Sequence, residues 1–418
     1  MTSCSSRPRA LVFAYACEPD RGSEPGAGWG IVQALLAFAD CVVLMGKEHE
    51  RALREWQRLH PDRRVTFIEV PDPLWARFIG RGRIRRFVIY LAWLQAAARR
   101  ARQMSLEQFD FVWHATYSAY WLPTPATNLG RPCVWGPVGG AVRTPLSLWG
   151  LLGGHGLLEE ILDYAAVRAM ARLPWTRRTW NEAAYTLVQN EATLDQLPPA
   201  LKANAIVVNH GLFTHVDVTR KILDRRCLFV CSLESRKGPT LALHALAMCS
   251  SDLRLVVVGG GPARRRMERL ARKLGLADRV EFIGPLPHAQ ALSMIANAAV
   301  ALFTGLREEG GIALAEAIGC GTPVVVLAHG GAAVLASAAI DAERVVLVQP
   351  GSVLETARQM AEAMTRFART DVVDYGDMLD HSMAVSVMQR IVSELSCPLI
   401  LHCESNQARD QSDRAPAT

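Results

Sequence analysis

Two carboxylates set the starting point. Glu308 and Glu316 are separated by seven residues in the stretch REEGGIALAEAIGCGTPVV, residues 307–325. Gly310 and Gly311 follow the first acid, and the second sits where AEAIG reads as helix. A glycine turn at a helix N-terminus offers unpaired N–H groups to phosphate or sugar oxygens. A carboxylate in that turn can accept hydrogen bonds from hydroxyls, and one about two turns along reaches another part of the same ligand. The same half of the chain carries a basic pair, Arg236 and Lys237, directly after a strand-like run, in LFVCSLESRKG (228–238). A cation in such a place stabilises charge that builds on an anionic leaving group. In the other half, AYACEPDRGSEPGAGWG (14–30) reads as a glycine-rich loop between a strand and a helix. Gly26 and Gly28 would there let backbone N–H groups approach an anion. His114 closes the strand-like FDFVWH, where a structural and a site role are both open.

These groups need elements to hold them, and the chain has the grammar of a doubly wound α/β protein. Continuous apolar runs of strand length recur at 10–16, 41–45, 65–70, 111–114 and 133–138. They recur again at 227–232, 253–259, 280–284, 300–303, 322–327 and 344–348. Helix-like stretches fall between them, the first at Trp29–Phe38. Apolar strands of this kind belong to parallel sheets covered on both faces, with ligands at the C-terminal ends of the strands. At 418 residues, half of them apolar, two domains are expected rather than one. The expected division is 1–212 and 213–375, then a helix over 376–396 packing back on the first domain and a disordered tail over 397–418.

Composition narrows the classes. The net charge of +6, from 46 basic and 40 acidic residues, is too small an excess to argue for nucleic acid. The ten cysteines show no zinc spacing. Cys17, Cys133, Cys231 and Cys320 read as buried thiols in a reducing compartment. The polar start lacks the order of a secretory signal, and the longest apolar run, Phe87–Ala98, is short for a membrane span. A cytoplasmic location is therefore expected. Arg77–Arg102 holds eight arginines and no acid. It reads either as a solvated helix face or, with Phe87, Tyr90 and Trp93, as a contact with the anionic inner face of a membrane.

The motif at 307–325 resembles the E-x7-E signature of retaining GT-B glycosyltransferases, specifically glycosyltransferase family 4. The resemblance extends over about residues 10–345. It implies two Rossmann-like domains facing across a cleft, the first for the acceptor and the second for a nucleotide diphosphosugar. Sugar transfer would retain configuration, by a front-face route, to a glycan or lipid-linked acceptor in bacterial surface polysaccharide assembly. Lys237 falls on the lysine that binds the donor pyrophosphate, with Arg236 beside it. Ser232 stands where the family usually has an arginine. By the same resemblance Glu308 holds the sugar hydroxyls, Glu316 the ribose, and His114 the reacting sugar or acceptor. Gly259 and Gly261 form a wall of the nucleotide pocket, and backbone around Ile283 contacts the base. Gly28 would support the diphosphate from across the cleft. No metal and no cofactor are implied, since no DxD motif stands where a metal-dependent transferase would need it. A dinucleotide fingerprint is disfavoured because Arg264 takes the place of the third glycine. A GT-B nucleotide-sugar epimerase and a non-catalytic nucleotide-sugar-binding or membrane-scaffold protein remain as alternatives.

Overall fold

A computed structural model describes residues 7–78, 83–218, 224–369 and 376–396. The chain builds two parallel sheets in succession. The first contains β1 (Arg9–Ala14), β2 (Asp40–Gly46), β3 (Val65–Val70), β4 (Phe111–His114), β5 (Cys133–Val138), β6 (Tyr185–Val188) and β7 (Ala205–Val207), in the order β3-β2-β1-β4-β5-β6-β7. The second contains β8 (Asp224–Val230), β9 (Leu255–Val258), β10 (Val280–Gly284), β11 (Ala298–Phe303), β12 (Val324–Leu327) and β13 (Val345–Val348), in the order β10-β9-β8-β11-β12-β13. Both orders turn back once, beside the first strand of each sheet. That reversal leaves a crevice at the strand C-termini, where doubly wound proteins bind their ligands.

The apolar runs become central strands because both of their faces are covered. β1 and β4 are buried apart from Arg9, and they bring Phe13, Phe111 and Trp113 into the interior. In the second sheet Leu255–Val258 and Val324–Leu327 are wholly buried. β6 and β7 had no counterpart among the expected strands. They are four and three residues long, and β7 is an only partly buried edge, so neither presents a long apolar run.

The chain crosses from the first sheet to the second through a short 3₁₀ turn, His210–Phe213. It returns through the helix Ser382–Ser396, whose Met388, Ile391 and Leu395 share one hydrophobic core with Ile31 and Leu35 of the first domain. The Tyr185 hydroxyl donates to Glu394 at the far end of this helix. The expected tail, 397–418, lies outside the described residues.

The aromatic residues that suggested a membrane contact in the arginine-rich stretch turn largely inward. The helix Arg83–Arg102 turns Tyr90, Trp93, Leu94 and Ala97 into the core of the first domain. The Trp93 indole donates to the carbonyl of Val70. What it leaves exposed is a polar face with Arg86, Arg99, Arg100 and Arg102. Arg81 lies outside the described residues. No helix among the described residues is long and apolar enough to cross a membrane.

Candidate active site

A cavity of about 710 Å³ lies between the two domains at the C-terminal ends of their strands. Loops after β1, β8, β10 and β11 line it. The loop after β8 brings Ser232, Arg236 and Lys237, and the loop after β11 brings Glu308, Gly310 and Gly311. Glu316 reaches the cavity from the helix Ile312–Gly319. The six residues singled out in the C-terminal domain at 236–237 and 308–316 therefore line one site.

Local chemistry holds them there. The turn Ser235–Lys237 is fastened to the loop after β11, because the Arg236 carbonyl accepts from the backbone amides of Leu306 and Arg307 at 2.9 and 3.1 Å. The Thr304 hydroxyl donates to the carbonyls of Lys237 and Gly238. With both backbones fixed, the Lys237 ammonium meets the Glu308 carboxylate directly. Burial alone would raise the Glu308 carboxyl, but the Lys237 charge and hydrogen bond outweigh it and hold it below the usual carboxylate range. Arg236 pairs with Glu234 at 2.6 Å and still faces the cavity. It thus puts a second cation beside Ser232, where the resemblance expected an arginine.

Glu316 is buried and accepts from His288 Nε2 at 2.7 Å. The other ring nitrogen of His288 faces the Asp20 carbonyl of the first domain at 3.1 Å. Both nitrogens thus face acceptors, and the bond to Glu316 raises the His288 pKa despite the counteracting burial. His288 ties the expected ribose-binding carboxylate to the opposite domain. The sequence reading missed it, because a histidine just after a Pro at a helix start has no motif of its own.

The first domain contributes differently from expectation. The helix expected at Trp29 begins at Ser23 and runs to Phe38, so Gly26 and Gly28 lie within it and not in a loop. Helical amides past the first turn are paired with carbonyls four residues back. A Cβ on Gly28 would meet the Ala16 carbonyl at 2.1 Å and Thr116 at 2.6 Å, which explains its glycine by packing. The cavity instead receives Arg21, Gly22, Ser23 and Glu24, the start of this helix. Arg21 adds a third cation, on the far side from Lys237.

His114 does not line the cavity. It is buried, its Nε2 is 2.8 Å from the Tyr90 hydroxyl, and that hydroxyl donates to the Thr116 carbonyl. Burial pushes its pKa down to about 4, so the ring is neutral at physiological pH. Gly259 and Gly261 lie between β9 and the next helix, against the carbonyls of Cys231 and Leu233, and Ile283 lies near the end of β10. None of the three lines the cavity; that wall is made by Leu286, Pro287 and His288. Cys17, Cys133 and Cys320 are buried thiols, while Cys231 borders the cavity with its thiol pushed up to about 12 by burial.

Contacts across the cleft surround the site. Arg307 donates to Glu160 at 3.1 Å and Asp163 at 2.9 Å, both on the helix Gly153–Ala171. Glu309 accepts from the Val142 amide and from Asn190. His210 packs against Gly310 so closely that a Cβ there would lie 1.9 Å from its Nε2. Burial lowers the His210 pKa, and Gln189 holds its other nitrogen.

Residues 220–370 match the family described as glycosyl transferases group 1. The chain is 36% identical over 133 residues to the D-inositol 3-phosphate glycosyltransferase of Acidothermus cellulolyticus, across 29% of each chain. It is 33% identical over 139 residues to the 2-deoxystreptamine glucosyltransferase of Streptomyces kanamyceticus, across 32% of this chain and 35% of that one. The matches thus span about a third or less of these relatives. Over the whole fold, the chain is similar to HepE of Anabaena, solved with UDP and glucose, with a TM-score of 0.52 at 15% identity over 93% of this chain and 98% of that one. Sucrose-phosphate synthase of Thermosynechococcus elongatus gives 0.53 at 17% identity, over 93% and 99%. The fold is that of the GT-B glycosyltransferases, and its second domain carries the sequence pattern of glycosyl transferases group 1.

Proposed function

We propose that the protein is a retaining hexosyltransferase of the family 4 type, which moves a sugar from a nucleotide diphosphosugar to a glycan or lipid-linked acceptor. The observation that carries this reading is the meeting, in one interdomain cavity, of Arg236 and Lys237 with Glu308 and Glu316. Such a set fits a ligand with an anionic centre between two hydroxyl-bearing ends. The diphosphate lies against Lys237 and Arg236, where positive charge stabilises the leaving group as the glycosidic bond breaks. Arg21 and the start of the Ser23–Phe38 helix support it from the other domain. Glu308 accepts from the donor sugar hydroxyls and Glu316 from the ribose, which displaces His288. HepE, a protein of the same fold, was solved with UDP and glucose, which agrees with a nucleotide-sugar donor.

The acceptor enters from the first domain. Transfer follows a front-face route, in which the leaving phosphate oxygen takes the proton of the attacking acceptor hydroxyl. A lipid-linked acceptor would bring the protein to a membrane, and the element suited to that is the helix Gly153–Ala171. Leu158, Ile161 and Leu162 are exposed on it at helical spacing, Trp175 is exposed just beyond it, and Arg168, Arg172 and Arg177 are exposed nearby. Apolar side chains rimmed by arginine suit an anionic surface.

The test is turnover of nucleotide sugars with a panel of glycan and polyprenyl-linked acceptors, with product anomeric configuration read by NMR. Acceptor-dependent release of nucleoside diphosphate with retained configuration supports the proposal. An inverted product, or a trapped covalent glycosyl-enzyme, contradicts the mechanism. Tight nucleotide binding without any turnover favours the non-catalytic alternative.

A further inference from the structure

Away from the cavity, one cluster of side chains has the chemistry of a metal site. His215, Asp377 and His381 each offer a ligand atom, all within 4.8 Å of one another. No other such grouping is found among the described residues. His215 follows the turn that carries the chain from the first domain to the second, and Asp377 and His381 precede the helix that carries it back. The cluster therefore joins both crossings of the chain.

Its hydrogen bonding organises it for a cation. His381 Nδ1 is 2.7 Å from the Leu212 carbonyl, an acceptor, so this nitrogen carries a proton. Its Nε2 is 3.0 Å from Asp377 Oδ2, so a proton bridges the two atoms in the metal-free protein, and a metal cation can take that proton's place. The other carboxylate oxygen, Oδ1, is held by the Leu379 amide at 3.0 Å, which aims Oδ2. The His215 ring lies beside that of His381, with centroids 4.3 Å apart. A histidine whose second nitrogen donates to a carbonyl, next to a carboxylate held by a backbone amide, is the outer-shell arrangement of metal-ligating residues. Two imidazoles and a carboxylate suit zinc and its neighbours rather than calcium or magnesium.

We infer that His215, Asp377 and His381 form a binding site for a divalent transition metal, of the zinc class, at the double crossing between the domains. Three protein ligands leave a fourth position for water. Bound metal ties the two crossing segments together and restricts the relative motion of the domains, independently of the nucleotide-sugar chemistry proposed above.

The test is titration of the metal-stripped full-length protein with Zn²⁺ by calorimetry, and with Co²⁺ by visible absorption, with thermal unfolding as a second readout. One equivalent is expected to bind and to raise the unfolding temperature. His215→Ala removes an exposed ligand without disturbing a core, and it should weaken binding by ~10-fold or more, at least the scale of losing an outer-shell partner. Asp377→Asn should do the same, while His155→Ala on a remote surface should change nothing. Absence of stoichiometric binding to the folded protein overturns the inference, as does binding of equal strength in His215→Ala. Neither result depends on nucleotide binding or turnover.

Discussion

At the scale of single residues, Lys237 and Glu308 define each other. The ammonium keeps the buried carboxylate ionised, and the carboxylate neutralises the lysine; in the proposed function a diphosphate would take over that cation. A depressed carboxyl pKa stabilises the fold above its unfolded value of about 4.3, and the contribution is lost as pH falls through the folded value. In Lys237→Ala the burial of Glu308 is opposed only by the more weakly acting Arg236 and His210, so its pKa should rise, stability near neutral pH should fall, and the part of the acid-induced loss of stability that this pair contributes should shrink. Turnover in the same variant should fall by ~10²–10³, the scale of losing one charge-stabilising group, with the circular dichroism of the fold retained. Unchanged turnover would remove Lys237 from the diphosphate site. Both acids and both cations were legible in the sequence, because their spacing around glycines carries the resemblance. His288 and Arg21 were not. Their roles come from which loops the fold sets opposite one another, and neither residue belongs to a local pattern.

At the scale of elements, the two domains meet through polar contacts that include His288, Glu309 and Arg307. His288 donates to both domains only as an imidazolium, and its pKa is raised by Glu316. A raised folded pKa gives stability that is complete below the unfolded value, about 6.5, and fades as pH rises through the folded one. Thermal stability should therefore fall as pH rises above about 6.5, and His288→Ala should flatten that part of the profile. A profile of the same slope in the variant would deny the contact. The start of the first helix shows why elements are harder to place than motifs. Glycine and proline in SEPGAG argue for a loop, yet the chain is helical from Ser23, and Gly28 is there because the helix packs too closely on Ala16 and Thr116 for a Cβ. Propensity lost to packing there, as it did at β6 and β7, whose short runs gain strand geometry from their neighbours.

At the scale of the whole molecule, two Rossmann-like sheets were legible because long buried strands are apolar throughout. Surfaces were less so. The aromatic residues of Arg83–Arg102 turn inward, and Gly153–Ala171 carries an exposed apolar face. A charge count cannot tell which face of a helix is covered. Flotation with anionic liposomes tests the relocated surface. Leu158→Glu with Leu162→Glu should abolish binding, whereas Arg99→Gln with Arg100→Gln should leave most of it. The reverse pattern would return the contact to the arginine helix. The central claim, that the interdomain cavity takes a nucleotide diphosphosugar through Glu316 and Lys237, is tested most directly by calorimetry of the protein and of Glu316→Ala against UDP, GDP, ADP and their common sugars. The account predicts selective binding of one nucleotide, weakened at least ~10-fold in the variant, the scale of a lost hydrogen bond to a charged group. Absence of binding by the folded protein, or equal binding by Glu316→Ala, would contradict it.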